Sequence, residues 1–443
     1  MNNVKFRTFS MLVLVGIAIL GMGFFTVRFV MFGEQWAGAP FNATAFQGGV
    51  LTAGSITDRN GIVLADMTDG RRTFAANGDI RRATLHAVGD RGGNIGTGAL
   101  SLYAGELMGY NLITGSYSLS GAGRQLQLTI DAELSAVAHR ALAGRRGAVM
   151  VSNYETGEIL AMVSGPTFDP SDPPTSFDPA QGVFMNRGIQ SAFSPGSTYK
   201  IVTAAAAIEN ISDIWSRIFV CNGVLVTGQG DVTCPGTHGS INLIQAMAVS
   251  CNVAFGELAL ELGGRLLDSY ARSFGLSEST RIGGMSGVNT ASGNFDIAPS
   301  NTAALAWSGI GQSTNTVAPA SMLRFVGAIA NRGEAVELHY LKRTGLSGIM
   351  PTSTARLLER NTARQLEEVI EIQNRGNFPG LEIYAKTGTA QVGGGLDPHA
   401  WFAGYIRNEG FPLAFVVVVE NGGGGAAVAA PIANTVLQAA ISG

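Results

Sequence analysis

The first apolar block of the chain, Thr8–Val27, runs for 20 residues without a charge. A helix of that length, at about 1.5 Å per residue, spans about 30 Å, the hydrocarbon thickness of a bilayer. Lys5 and Arg7 precede the block, which favours a cytoplasmic N-terminus, and Arg28 closes it where its stem can snorkel to the outer interface. A cleaved signal peptide is the competing reading. Its apolar region would be shorter, about 7–15 residues, and Pro40 directly after the small-residue stretch Ala37-Gly38-Ala39 hinders cleavage. The pattern predicts an uncleaved anchor over residues 1–32, with the rest of the chain outside the cytoplasmic membrane.

Beyond the anchor the period changes. Ser55–Leu64 places strand residues around an Asn60-Gly61 turn, a hairpin signal. Residues 71–125 are Gly-rich with weak periodicity, so 33–125 reads as a small, irregular membrane-proximal region. From residue 126 the signals sharpen. Leu126–Asp131 alternates and runs into a helix, Ala132–Ala143, with Asp131 as its cap. Gly147–Ser152 and Glu158–Ser164 read as strands, as do Glu382–Gln391, Ala400–Arg407 and Leu413–Glu420. Between them, about 197–375, Ala and Leu recur at helical spacing, and a last helix follows Pro431. Two strands early, three late and helices between predict an α+β fold: one five-stranded antiparallel sheet flanked by helices, over 126–443.

Composition narrows the class. Charged residues are 14% of 443 and hydrophobic residues 46%, which excludes a disordered chain. Lys+Arg total 29 against 32 Asp+Glu, a net charge of -3 without the basic excess of a nucleic-acid binder. Three cysteines are present, Cys221, Cys234 and Cys251. Cys221 and Cys234 close a Gly-rich loop, and outside the cytoplasm a disulfide between them is expected. Zinc is the competing reading, since His238 follows Cys234 by four positions, but the lack of C-x-x-C and H-E-x-x-H weighs against it. The five histidines are scattered and form no triad-like pattern.

Three segments carry candidate chemistry. In Pro195-Gly196-Ser197-Thr198-Tyr199-Lys200 a helix begins at Ser197, and the i, i+3 spacing puts Ser197 and Lys200 on one face. A serine at a helix start sits among outward-pointing N–H groups that can serve an oxyanion. Lys200 can take its proton only when neutral. That costs about 4.6 kcal/mol for a free lysine at pH 7, so the site must supply desolvation or a second cation. Lys386, in Lys386-Thr387-Gly388-Thr389 on a strand, is a matching cation, and with Thr387 and Thr389 it can hold a substrate carboxylate. Gly388 leaves the strand bare where a backbone, such as that of an added peptide, must come close. In Ser250-Cys251-Asn252, between two helical stretches, the Ser250 hydroxyl can relay a proton and the Asn252 amide can hold a carbonyl.

Each segment alone is common; S-x-x-K, S-x-N and K-T-G in this order, each in its expected local structure, are specific. With them the sequence resembles the penicillin-binding protein transpeptidases, over most of residues 50–443. Gly54–Gly61, Thr129–Asp131, Thr156–Met162, Phe168-Asp169-Pro170, Asn186-Arg187, His238-Gly239, Gly309–Gln312 and Trp401–Tyr405 extend the match. No room precedes the catalytic region for a glycosyltransferase domain, so the resemblance is to the monofunctional, class B members. A short pedestal is the departure from larger members.

The resemblance implies a peptidoglycan D,D-transpeptidase. Ser197 would attack the D-Ala-D-Ala bond of a stem peptide, Lys200 accept the proton and Ser250 protonate the departing D-alanine. The N–H groups of Ser197 and Thr389 would form the oxyanion hole, with Asn252 orienting the substrate amide and Lys386, Thr387 and Thr389 binding the carboxylate of substrate or β-lactam. It implies no metal or cofactor, no nucleic acid, and as partners stem peptides, β-lactams, the cytoplasmic membrane and a membrane glycan polymerase. A D,D-carboxypeptidase, a β-lactamase, a penicillin-sensing receptor and a non-catalytic scaffold are the alternatives.

Overall fold

A computed structural model describes residues 2–37, 54–68, 71–108, 123–284, 287–296, 301–343, 352–372 and 375–442. The first described element is a helix, Asn2–Ala37. Its stretch Arg7–Phe29 is long and apolar enough to cross a membrane, and its large side chains, such as Leu20 and Phe24, are exposed rather than packed on the rest of the protein. Ala37 ends that helix; the rest of the cleavage-site look-alike, and Pro40, lie outside the described residues.

The hairpin expected around Asn60-Gly61 forms, with Ser55–Thr57 antiparallel to Val63–Thr68. Asp58 makes the turn: its Oδ1 accepts from the N–H of Asn60 and of Ile62, both at 2.8 Å, while Gly61 takes the positive φ of 89° that a side chain would disfavour. Two further short strands complete a four-stranded sheet, Arg71–Phe74 on one side and Gln125–Gln127, in parallel, on the other. The stretch after residue 71 is more regular than its weak periodicity suggests. Four short helices, Gly78–Ala83, Leu85–Val88, Ala99–Leu102 and Ala104–Leu107, fold there. Helices of four to six residues bury too few positions to show a period, so they are stabilised by what they pack against. Ile80, Val88, Tyr103 and Leu107 join the same apolar cluster as Met150 and Tyr340 of the larger region.

That larger region is the expected layered α+β domain. Its five strands run in the order Ile383–Ala390, His399–Ile406, Leu413–Val419, Gly147–Asn153, Ile159–Gly165, each antiparallel to its neighbour. Both faces of the sheet are covered. Phe415, Val417 and Val419 point into a cluster shared with the helices Ala132–Leu142 and Ala429–Ser442; Ala414, Val416 and Val418 point into the cluster of the inner helices. This is why Leu413–Val419 is unbroken in its apolar character: alternate residues enter different cores, and each fully buried valine contributes about 1.5–3 kcal/mol. The strand Ile383–Ala390 is the edge, and its outer rim faces the turn Gly196–Tyr199.

The helix caps follow the sequence signals. Asp131 Oδ1 accepts from Leu134 N at 2.9 Å. The helix after Asn242 starts with a reciprocal capping box between Asn242 and Gln245. The C-terminal helix begins at Ala429, two residues before the proline taken as its first turn.

Candidate active site

Ser197 lies in a 3-10 turn, Gly196–Tyr199, that leads into the helix Lys200–Asn210. Every residue from Lys200 to Ala207 is buried, so the helix is a spine of the domain and its first residue is fixed. Gly196 has φ 54°, and a Cβ there would stand 2.8 Å from the Thr389 carbonyl oxygen. Gly311 has φ 76°, and a Cβ there would meet the Gly196 carbonyl oxygen at 2.1 Å. Only glycine fits at either position. The Gly196 N–H donates to the Gly311 carbonyl at 2.9 Å and Thr198 Oγ1 donates to the Pro195 carbonyl at 2.8 Å. The Ser197 turn is thus clamped between the edge strand and the Gly309–Gln312 segment.

Three of the expected residues meet around one side-chain nitrogen. Lys200 Nζ lies 2.7 Å from the Ser250 carbonyl oxygen, 3.1 Å from Ser250 Oγ and 2.8 Å from Asn252 Oδ1, all within hydrogen-bond reach. Ser250 Oγ is in turn hydrogen-bonded to Ser197 Oγ at 2.9 Å. The connection from Ser197 to Lys200 therefore runs through the Ser250 hydroxyl. The i, i+3 spacing implied a direct pair; the structure makes a relay, because the Ser250 hydroxyl is hydrogen-bonded to both groups. Ser250 has φ 55°, a strained conformation for a non-glycine residue. It is held there by the Lys200 bond to its carbonyl and by the bond of 2.8 Å from Cys251 N to the Ala246 carbonyl.

The site's electrostatics favour a neutral Lys200. Its side chain is fully buried, and that desolvation, followed by the nearby Lys386 ammonium, drives its pKa well below the ordinary lysine range. Lys386 is itself pushed down to about 8 by burial. The Phe255 ring lies 5.5 Å from Lys200 Nζ and closes the apolar side of the pocket.

On the edge strand, Lys386 and Gly388 face the same side as Ala403 and Trp401, toward the Ser197 turn, while Thr387 and Thr389 alternate to the other. Gly388 is bare for a different reason from the one the sequence suggested. A Cβ there would meet the Pro195 carbonyl oxygen at 2.5 Å and Thr198 Cγ2 at 3.1 Å, so the close approach is that of the Ser197 turn itself. Thr389 is the exposed residue of the segment, and its Oγ1 accepts from Gly425 N at 3.2 Å.

The Cys221–Cys234 disulfide is not formed: all three cysteines are free. Cys234 turns instead toward His238 and Cys251, with Sγ 3.5 Å from His238 Nδ1 and 3.8 Å from Cys251 Sγ. Sequence reasoning missed Thr233, whose carbonyl accepts from Asn252 Nδ2 at 2.8 Å and fixes that amide with its oxygen toward Lys200. Nothing local marks Thr233, since a backbone acceptor leaves no trace in residue type. Gly309–Gln312 was visible only as part of a resemblance.

The chain is similar to known proteins in sequence and in fold. The family model for the penicillin binding protein transpeptidase domain matches residues 147–438. The Mycobacterium tuberculosis peptidoglycan D,D-transpeptidase PbpA is 30% identical over 336 residues, 67% of this chain and 67% of that protein. The Acinetobacter baumannii peptidoglycan D,D-transpeptidase MrdA is 27% identical over 316 residues, 61% of this chain and 45% of that protein. Among solved structures, the D,D-transpeptidase domain of a peptidoglycan glycosyltransferase from Eggerthella lenta superposes with a TM-score of 0.75 at 27% identity, covering 88% of this chain and 98% of its own. Penicillin-binding protein A from M. tuberculosis, solved as a ceftriaxone acyl-enzyme, gives 0.74 at 25% identity, covering 88% and 99%.

Proposed function

Because the chain belongs to the penicillin-binding protein transpeptidase family, we propose that it is a peptidoglycan D,D-transpeptidase that cross-links stem peptides through an acyl-serine and is acylated by β-lactams at the same serine. The observation that carries this reading is the hydrogen-bonded line Ser197 Oγ, Ser250 Oγ, Lys200 Nζ, ending on a buried lysine. A lysine kept neutral by burial accepts a proton; a charged one in this position only donates.

In the acylation step Ser197 Oγ attacks the carbonyl carbon of the penultimate D-alanine as its proton passes through Ser250 to Lys200. The negative charge on the carbonyl oxygen is met by the Ser197 and Thr389 N–H groups, whose backbones are brought together at Gly196; one such donor is worth about 10²–10³ in rate. The C–N bond breaks, and the terminal D-alanine leaves as an amine with the proton returned through Ser250. An amine of a second stem peptide then attacks the ester, gives up a proton along the same line and releases Ser197. Asn252 orients the substrate amide. Lys386 from one face of the edge strand, with the Thr387 and Thr389 hydroxyls from the other, binds the terminal carboxylate where it lies along the strand rim, and a charged Lys386 is what that role requires. Gly388 allows the nucleophile turn to lie on the strand.

The apolar helix supports anchoring of the enzyme at a membrane. Lys5 and Arg7 on its N-terminal side support a single pass with the catalytic domain outside the cytoplasm. There it meets strands made by a membrane glycan polymerase, its natural partner.

Fluorescent penicillin tests the assignment: the full chain should take one label per molecule, and Ser197→Ala should take none while keeping its thermal melt. Label retained in that variant would move the nucleophile elsewhere. Incubation with a synthetic stem peptide and an acceptor amine should give cross-linked product in preference to free acid; free acid alone would make the enzyme a carboxypeptidase.

A further inference from the structure

Directly beneath the Ser250–Asn252 turn lies a cluster that the proposed reaction does not use. Cys221, Cys234, His238 and Cys251 come from four separate places: the end of the strand Phe219–Cys221, the residue after Asp231–Thr233, the residue before Gly239–Ile241, and the cap of the helix Asn252–Leu262. Their four donor atoms all lie within 4.8 Å of one another, Cys221 and Cys251 buried and the other two partly so. We propose that these residues bind one structural zinc ion as a Cys3His site, and that this ion fixes the turn carrying Ser250 and Asn252.

Two of the six edges between the donor atoms have the lengths a tetrahedral ion sets. With Zn–S about 2.3 Å and Zn–N about 2.0–2.1 Å, a tetrahedron has S···S edges of about 3.8 Å and S···N edges of about 3.6 Å. Cys234 Sγ lies 3.8 Å from Cys251 Sγ and 3.5 Å from His238 Nδ1. Backbone donors already point at the sulfurs: Asn252 N at 3.2 Å from Cys234 Sγ and Ala254 N at 3.5 Å from Cys251 Sγ. Such N–H groups stabilise thiolates, the form in which sulfur ligates a metal. Three thiolates and an imidazole, closed on all four sides, suit zinc. A disulfide would use two of the sulfurs and leave the third and His238 without a role.

The surroundings supply the need. Residues 219–241 form two-stranded ribbons of three residues per strand. Val220, Val224 and Val226 are exposed, and Val232 is fully buried. Ribbons this short are marginal on their own, and a metal that joins them to a helix cap supplies the missing cross-link. Because Cys251 sits between Ser250 and Asn252, the ion would hold both. Thr233, next to Cys234, holds the Asn252 amide from the other side.

The test uses the full chain purified in detergent without chelator. Elemental analysis should find one zinc per molecule, and the three thiols should resist a thiol reagent until a strong chelator is added. Exchange with Co2+ should give the intense visible bands of a tetrahedral thiolate site. His238→Ala and Cys251→Ala should lose the metal, and His238→Cys should regain it. If the single variants do not fold, the wild-type metal content and Co2+ spectrum still decide. Zinc well below one equivalent with all three thiols reactive, a mass lower by two hydrogens that marks a disulfide, or unchanged zinc in both variants would each overturn the proposal. Removal of the ion should also slow penicillin acylation, on the order of 10-fold or more. That last effect rests on the assignment of Ser197; Ser197→Ala should keep its zinc while losing the label, so failure of one reading is separable from failure of the other.

Discussion

Two regions deliver side chains to the Ser250–Asn252 turn, and they are built in opposite ways. On one side the helix Lys200–Asn210 is buried from its first residue through Ala207 and delivers Lys200 from a dry core. On the other, the ribbons of residues 219–241 leave Val220, Val224 and Val226 exposed and deliver the Thr233 carbonyl and the Cys–His cluster. Packing alone is enough to hold Lys200 and to lower its pKa. It is not enough to hold the ribbons. Where a catalytic contact comes from a thin element, geometry has to be set by cross-linking atoms rather than by buried area.

Replacing Lys200 attacks the first side and should have the largest effect. Lys200→Arg keeps the charge but cannot give it up, and loss of general-base catalysis should slow penicillin acylation by about 10²–10⁴-fold. Stopped-flow labelling measures this, with circular dichroism to check the fold; near-normal acylation would take Lys200 out of the proton path. Gly388→Ala tests the clamp on the nucleophile turn. Its Cβ would collide with the Pro195 carbonyl, so Ser197 should shift and acylation fall by about 10²-fold. An unchanged rate would mean that the turn is looser than its contacts imply.

A pH profile of acylation sharpens the electrostatic side of the comparison. As pH falls through the lowered pKa of Lys200 the base becomes protonated, and the rate should fall about tenfold per unit. As pH rises past about 8, Lys386 loses its proton and its hold on the ligand carboxylate, so the rate should fall again. A flat profile on the acid side would mean that no protonation of Lys200 limits the rate over that range. The smallest effect belongs to the ribbons. Val232→Ala removes methyl groups from their one fully buried valine and should cost about 1 kcal/mol, read as a small drop in Tm. The drop should grow when chelator is added, because the metal then no longer shares the load; an identical drop in both conditions would count against a cross-linked ribbon.

Much of the fold is legible in local pattern. Alternation and turn signals locate all five main strands within a residue or two, Asp131 caps the helix expected of it, and the Asn60-Gly61 hairpin closes where its residues require. The four short helices after residue 78 were not legible, because so few turns cannot display a period. In the site, Ser197, Lys200, Ser250, Asn252 and Lys386 stood out through motif order. The role of Gly388 was misread, since the glycine announces a close approach without saying of what.

What the sequence determined by itself is therefore what depends on neighbours a few residues apart: an apolar span, strand and helix boundaries, and residue types suited to acyl transfer. Tertiary structure alone decided that Ser250 stands between Ser197 and Lys200, that Pro195 fills the space over Gly388, and that Cys234 faces His238 and Cys251 rather than pairing with Cys221. Those contacts join residues brought together by packing of separate elements, and the distance and angle of such a meeting are set by the buried surfaces behind it, which no local period records.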